Sequence, residues 1–545
     1  MLDLLAQLVA PPLQNSPVRL PGPDAVEQRG RPNQQTPELN ISPEERPAAP
    51  APAAEPAPSG QGSSSALPAI RGPLRYSQTE LRRILASCLP MADSTSKLEA
   101  CAAAITARLV ADGYVNSGAM VRGRGAGAYL ELVEGRLAEV QVISTDSRLR
   151  QRVQRLLKPL QGKVLNLNTL QQDLLVLKRV NGVGTIKAGL TRLGNDPTQA
   201  VFTLTITPGP RPWQGELALR NDGSPGSGEY RGSAALVKGD LALRGDTLLI
   251  YGETSWTRDP SLGQAISSLS YTRPLAQQLS FSGSVGYTSN NSPELDSASV
   301  DISSNQLQGL GQFDWVFSES LRQRWSAFAG VSANSNTINL AISGGPALSL
   351  TQNSTYLRVG LNGFGLNGPI AWGSSLYLLQ GLSTEFVNAG SASALGGLAQ
   401  AGWTLAPGWQ LNGRLAGQWA LGDLPTSMFF SVGSDVGLRG LPGQLISGEN
   451  GWLTTAELAW TFWKQRSHAL QLVPFIGAGG VSSAFPGTSF TDVVGSGGVL
   501  ARWLAGLNWA FELGWVHQFD TANNIGVWND WLLDDGLYTK ASFRF

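Results

Sequence analysis

The chain is 545 residues long and carries 40 basic and 40 acidic side chains, so its charge balance offers nothing to a polyanion such as nucleic acid. Only 15% of residues are charged and 64 are glycine, a composition unlike a water-soluble protein and suited to a lipid-facing, turn-rich barrel. No apolar run approaches the roughly eighteen residues of a spanning helix, and a membrane protein without such helices must close its strands on themselves.

Met1–Val9 is apolar but holds Asp3 and no basic residue, which makes it a poor signal peptide; either the start is misplaced or a leader is absent. Pro11–Leu67 is rich in proline, alanine and glutamine. It has no means of burying a core and reads as a disordered or polyproline-like linker, with a reach of well over ~100 Å at about 3.1 Å per residue. Arg71–Val133 reads as strand, helix, helix, strand, strand. Ser77-Gln78-Thr79-Glu80 is a capping box opening the first helix. The second, about Thr95–Asp112, places Leu98, Cys101, Ala102, Ile105 and Leu109 on one face and ends at Gly113. Pro68 keeps the opening strand near Ala69 short. Cys88 and Cys101, the only two cysteines, would pair in an oxidising compartment; the alternative is two buried thiols on a helical core.

Arg136–Pro208 repeats the same order: a strand at Leu137–Ile143, a helix marked by Leu149, Val153, Leu156 and Leu157, a helix at about Leu170–Val180, and strands at Gly184–Leu193 and Ala200–Ile206. The spacing of roughly seventy residues marks an internal repeat; an unrelated α+β domain is the alternative. From Pro212 to Phe545 the pattern becomes about sixteen short alternating runs, from Trp213–Arg220 to Leu537–Phe545, including Asn305–Phe317, Gln323–Ala333 and Thr355–Phe364. Even strand numbers with long loops on one side fit a transmembrane barrel. A soluble sandwich or propeller is the alternative, disfavoured by 16 tryptophans, several at strand ends as in aromatic girdles (Trp213, Trp409, Trp452).

Between the runs Leu411–Leu421 and Trp452–Trp463 lies a long loop studded with Gly433, Gly437, Gly440, Gly443, Gly448 and Gly451, too glycine-rich for a helix. Unstructured loops of about this length are uncommon and usually functional. Gly437-Leu438-Arg439-Gly440-Leu441, with Gly448-Glu449-Asn450-Gly451-Trp452 and Ala456-Glu457-Leu458, resembles the sixth extracellular loop and following strand of two-partner secretion transporters. These are the hemolysin-activator and filamentous-hemagglutinin (ShlB/FhaC/HecB) transporter family. Gly113-Tyr114-Val115 and Leu132-Val133-Glu134-Gly135-Arg136 resemble signatures of the same family, and the resemblance covers about Arg71–Phe545.

The resemblance implies an all-β outer-membrane barrel of about 16 antiparallel strands (210–545) with a pore loop at 421–451, preceded by two periplasmic α+β POTRA domains (68–135 and 136–209) and the disordered proline-rich segment 1–67. Family members also carry an N-terminal plug helix; Leu2, Leu5, Leu8 and Val9 suit one, the alternative being a disordered tail. The implied function is to accept one secreted exoprotein, carrying a β-helical secretion domain, at the POTRA domains and pass it outward unfolded without nucleotide. Outer-membrane lipid and the barrel assembly machinery are the other implied partners, and the chain is expected to be monomeric, without cofactor or metal. A barrel assembly factor and a passive porin are the rival readings.

In the family the loop folds back into the pore and its arginine pairs with acids on the barrel wall. Side chains alternate faces along a strand. Trp452, Ala456, Leu458, Trp460 and Phe462 therefore form a lipid-facing set, and Glu457 points to the lumen as the expected partner of Arg439. Exposed to water, such a pair contributes about 0–1 kcal/mol. The family's usual motif has Val and an aromatic where this chain has Leu438 and Leu441. A second wall acid belongs to a Phe-x-Asp-x-Gly motif; here Phe475-Ile476-Gly477-Ala478-Gly479 puts Gly477 where the acid should be, so either Glu457 carries the contact alone or another lumen acid substitutes, and a looser loop is expected. The alternating final strand ends at Phe543 and Phe545, similar to the targeting signal of outer-membrane barrels. Val115–Val121 and Gly184–Leu193 are candidate edges for β-augmentation by a client, with Arg122 and Arg124 as charge protection on the first. No catalytic motif is present, and His468 and His517 lie on separate strands.

Overall fold

The computed structural model describes residues 67–545 apart from 74–75, 87, 89–94, 124–126, 179–182, 195, 209–212, 225–226, 243–245, 259–260, 277, 292–299, 321–322, 343–347, 386–387, 444, 486–487, 507 and 521–530. Met1–Val9, the linker to residue 66 and Arg124 lie outside the described residues. The remainder divides into two compact units, one ending at Pro210 and one running from Arg211 to Phe545.

The first unit opens with β1 (Ile70–Arg71), α1 (Gln78–Ile84), α2 (Thr95–Ala111), β2 (Gly118–Arg122) and β3 (Tyr129–Val133). The sheet order is β1-β3-β2, with β1 parallel and β2 antiparallel to β3. Pro68 and Pro73 flank β1 and leave it two residues long. Ser77 opens α1 with both halves of the capping box: its hydroxyl accepts from Glu80 N at 3.3 Å, and Glu80 Oε2 accepts from Ser77 N at 2.8 Å. On α2, Leu98, Cys101, Ala102, Ile105 and Leu109 pack onto Leu130 and Leu132 of β3. Cys88 and Cys101 are joined in a disulfide, Cα atoms 5.5 Å apart, which ties the segment after α1 to α2.

The same plan follows in β4 (Arg136–Ile143), α3 (Ser147–Leu157), α4 (Leu167–Lys178), β5 (Val183–Leu193) and β6 (Asp196–Pro208). Its order is β4-β6-β5, again with the first strand parallel to the last. Leu137, Val153, Leu174 and Phe202 lie in its core. The two subdomains are hydrogen-bonded to one another, Leu167 N donating to Gly113 O at 2.8 Å and Asn116 Nδ2 to Thr198 O at 3.0 Å.

The second unit is a closed barrel of 16 antiparallel strands. They are β7 (Trp213–Arg220), β8 (Tyr230–Gly239), β9 (Thr247–Trp256), β10 (Leu262–Pro274), β11 (Leu279–Asn291), β12 (Val300–Glu319), β13 (Gln323–Ile342), β14 (Leu348–Asn367), β15 (Ile370–Thr384), β16 (Ser393–Ala406), β17 (Trp409–Ala420), β20 (Asn450–Gln465), β21 (His468–Phe485), β22 (Thr488–Ala505), β23 (Trp509–Asp520) and β24 (Leu537–Arg544). Each pairs with its chain neighbour, and β24 closes on β7 through Lys540↔Arg220 to Arg544↔Glu216. The closing seam is reinforced by the Asn221 amide, which donates to Leu537 O at 2.7 Å and accepts from Thr539 N at 2.8 Å.

The burial pattern is inverted relative to a soluble barrel. Outward positions are apolar and open, such as Leu415, Trp515 and Trp419, the last 72% exposed, whereas inward positions include Gln308, Asn334, Arg358 and Glu512. That is the solution for a lipid-embedded cylinder with a polar bore. An aromatic belt runs along the short-turn rim. Trp409 stacks on Trp460, Trp503 on Phe511, and Trp509 meets Phe543, which stacks on Phe545. No described helix is long and apolar enough to cross a membrane.

The alternating runs fall on the barrel strands, but β12, β13 and β14 are each 20 residues long and outrun them. Within the extra length Asn334–Thr337 and Thr351–Ser354 are polar on both faces and interrupt the alternation, which resumes beyond them at Ile338, Leu348 and Leu350. The extra length belongs to wall that stands clear of the roughly ten residues needed to cross a bilayer.

Candidate functional site

Between β17 and β20 the chain turns inward. Its first part packs Leu424, Met428 and Phe429 against Phe328, Tyr356, Tyr377 and Leu379 on β13–β15. Arg358 lies on the same wall, its guanidinium 5.1 Å from the Phe328 ring centroid and 5.4 Å from that of Tyr377, a cation–π contact with each. Thr426 Oγ1 donates to Gln352 Oε1 at 2.8 Å. A short hairpin follows, β18 (Phe430–Val432) paired with β19 (Ile446–Gly448). It holds a compact tip, in which Ser434 N donates to Pro442 O at 2.9 Å and Leu438 N to Gly433 O at 3.0 Å.

The tip is buried. Phe430, Val432, Leu438 and Leu441 share a core with Leu453, Val473, Leu500, Val516 and Tyr538 of the wall. Gly440 has φ +81°, and a Cβ there would sit 2.2 Å from Val516 Cγ1, so both backbone and space demand glycine. The tip's apolar contacts lie mainly on β20–β24 and those of the first part on β13–β15, which makes the loop a strut inside the bore.

Arg439 sits at the end of that tip and is 7% exposed. Its Nε donates to Glu457 Oε1 at 2.8 Å and its Nη1 to Glu512 Oε2 at 2.9 Å. Glu457 comes from β20 and Glu512 from β23, and they are 9% and 4% exposed. Glu512 also accepts from Arg502 Nε at 2.6 Å and faces Lys540 across the ladder. The backbone is held as well: Ser496 Oγ donates to Arg439 O at 2.5 Å and Gln518 Nε2 to Gly440 O at 3.2 Å. An arginine suits this position because its planar fork serves two carboxylates at once.

The Arg439–Glu457 pair is buried, the case in which closer coupling is partly offset by desolvation. Another lumen acid, Glu512 of β23, stands in for the one missing at Gly477, and the loop, expected to be looser, is packed. Gly477 does face the lumen, but the space of its missing side chain is filled: a Cβ there would lie 2.5 Å from Leu438 Cδ1. Leu438 and Gly477 thus depart from the family pattern together, the larger loop residue seated over the smaller wall residue. Glu512 was legible as an inward acid on an alternating strand, yet such an acid is unremarkable in a wet lumen until the loop is seen beside it. Phe543 and Phe545 lie in the aromatic belt, and the Phe545 ring covers Gly215 of β7. Among the described residues no group of three or more His, Cys, Asp or Glu side chains is placed to hold a metal ion.

The family model described as haemolysin secretion/activation protein ShlB/FhaC/HecB matches residues 202–499. The chain belongs to that family. The ShlB/FhaC/HecB proteins are outer-membrane β-barrel secretion transporters. In solved structures the fold is shared with CdiB from Escherichia coli, at a TM-score of 0.70 and 16% identity over 98% of this chain and 99% of that one. CdiB from Acinetobacter baumannii is similar at a TM-score of 0.62 and 16% identity, over 96% of each chain. No curated protein matches in sequence.

Proposed function

We propose that this chain is the transporter half of a two-partner secretion system, passing one exoprotein outward through its barrel, unfolded and without nucleotide. The observation that carries the reading is a loop folded into the bore and held there by Arg439 between Glu457 and Glu512. A loop tied by a few buried charges is a closure that can open, whereas a passive porin has no use for one.

The two upstream subdomains act as POTRA domains, 68–135 and 136–209, in the periplasm. Both β2 and β5 are edge strands of their sheets, so either can add a strand from a client's β-helical secretion domain, with backbone hydrogen bonds giving affinity at little sequence cost. β5 is the longer, at 11 residues against 5, and β2 ends at an Arg122–Glu131 pair of 2.7 Å that guards it. Folding of the client outside supplies the drive. Phe543 and Phe545 serve as the signal read by the barrel assembly machinery, and the transporter works as a monomer.

Deletion in the native host, followed by comparison of secreted and outer-membrane proteins, tests this reading. Loss of one large exoprotein supports it. A broad fall in outer-membrane barrels would point to an assembly factor, and unchanged secretion with altered small-solute uptake to a porin.

A further inference from the structure

The pore loop carries another charge four residues before Arg439. Asp435 accepts from Nη1 of Arg231, which stands at the start of β8 and has no exposed surface. The same guanidinium donates to Asp222 Oδ1 at 3.0 Å, Glu253 Oε1 at 3.4 Å and, on the loop, Ser434 Oγ at 3.3 Å. Nearby, Gly443 N of the loop donates to Gly223 O at 2.7 Å. Asp222 and Glu253 belong to the wall and also hold Arg220, at 3.6 and 3.4 Å. Arg231 therefore keeps wall partners whether or not the loop is present, while Asp435 is what the loop adds.

The position matters as much as the contact. Arg439 grips β20 and β23; Asp435 grips β8. In the barrel order β23-β24-β7-β8, the closing seam between β24 and β7 lies between these two holds. An acid and a base four residues apart on one tip thus reach opposite sides of the seam.

We propose that Arg231 is a second anchor of the pore loop, so that the loop is held by two contacts of opposite polarity, one on each side of the closing seam, and leaves the bore only when both are broken. Arg231 is a positioning residue: it acts through the place of the loop. The inference deepens the pore-loop part of the function proposed above.

The test is conductance of the full-length protein in planar lipid bilayers, with no client present. Asp435→Asn removes the loop charge and leaves the wall intact; it should raise the open fraction roughly tenfold. Asp435→Glu should keep the barrel closed, and Asp435→Asn with Arg439→Ala should open it more than either alone. Asp435→Arg, which sets two cations against each other, should open the barrel further than Asp435→Asn. If Asp435→Asn and Asp435→Arg barrels migrate as folded in heat-modifiability gels and conduct as the parent does, the second anchor does not exist. Because conductance of the empty barrel is read, that failure would leave the secretion reading standing, and failure to secrete would leave this result standing.

Discussion

Arg439→Ala asks how firmly the loop is held. The substitution deletes two charge-assisted hydrogen bonds, of 2.8 and 2.9 Å, and leaves two buried acids behind. Glu512 keeps Arg502 at 2.6 Å, so Glu457 is the acid left worse off. Removing one partner of a buried pair costs about 3–5 kcal/mol, and the remaining hold on Glu512 argues for the lower end. At 1.4 kcal/mol per tenfold, about 3 kcal/mol multiplies the undocked population of the loop by roughly 150. The readout is thiol labelling of Val436→Cys, a buried tip position, in an otherwise native chain. Cys88 and Cys101 are joined and stay silent. When docking is fast relative to labelling, the rate follows the undocked fraction. Arg439→Ala should speed labelling by about two orders of magnitude, and adding Glu457→Gln should recover part of the loss by removing the charge that Arg439 had balanced. Rates within twofold of the parent, in a barrel that still migrates as folded, would show that the apolar tip alone holds the loop and would refute the electrostatic argument.

Gly477→Ala drives a methyl group into Leu438, and overpacking of this kind costs about 1–3 kcal/mol; it should raise Val436→Cys labelling, and Leu438→Ala added to it should bring the rate back down. Replacing both Cys88 and Cys101 by serine should destabilise the first subdomain by about 3 kcal/mol, the amount expected for a loop of this size, read as faster hydrogen exchange along α2 in the full chain. The backbone hydrogen bond from Ser77, with help from its hydroxyl, holds the Glu80 carboxyl below the usual glutamate range. A depressed acid stabilises the fold above its unfolded pKa and loses that contribution as pH falls through the folded one. The start of α1 should therefore fray on acidification below the ordinary glutamate range, and Glu80→Gln should remove that pH dependence from amide exchange at Thr79–Leu81; exchange as acid-sensitive as in the parent would assign the effect to another group.

How much of this was legible depended on whether a residue's partner lay on a periodic element. Glu457 sits on a strand whose alternation assigns its face, so its direction followed from counting. Asp435 and its place against Arg231 did not, because the loop has no period and the two residues are 204 positions apart. Gly477 shows a different gap. Read alone, it is a lost acid; read with Leu438, it is one half of a compensated exchange, and only coordinates join the halves. The strand, helix, helix, strand, strand order of both subdomains was legible because each helix presents one apolar face and each begins or ends on a cap. The 20-residue length of β12–β14 was hidden because short stretches polar on both faces, Asn334–Thr337 and Thr351–Ser354, break the alternation part-way along the wall.

Those long strands have a consequence for what emerges from the bore. Their extra residues, 300–304, 334–342 and 348–354, all lie at the end where β17 gives way to the pore loop, while β7, β8 and β9 are only 8 to 10 residues long. At about 3.3 Å per residue, the mouth is a parapet on one flank and a low sill on the other. Under the proposed secretion function, a polypeptide sliding out would pass Asn334, Asn336 and Gln352 on the tall side and then, nearer the rim, Ile338, Leu348 and Leu350, an exposed apolar lip that its own apolar side chains can touch before folding begins.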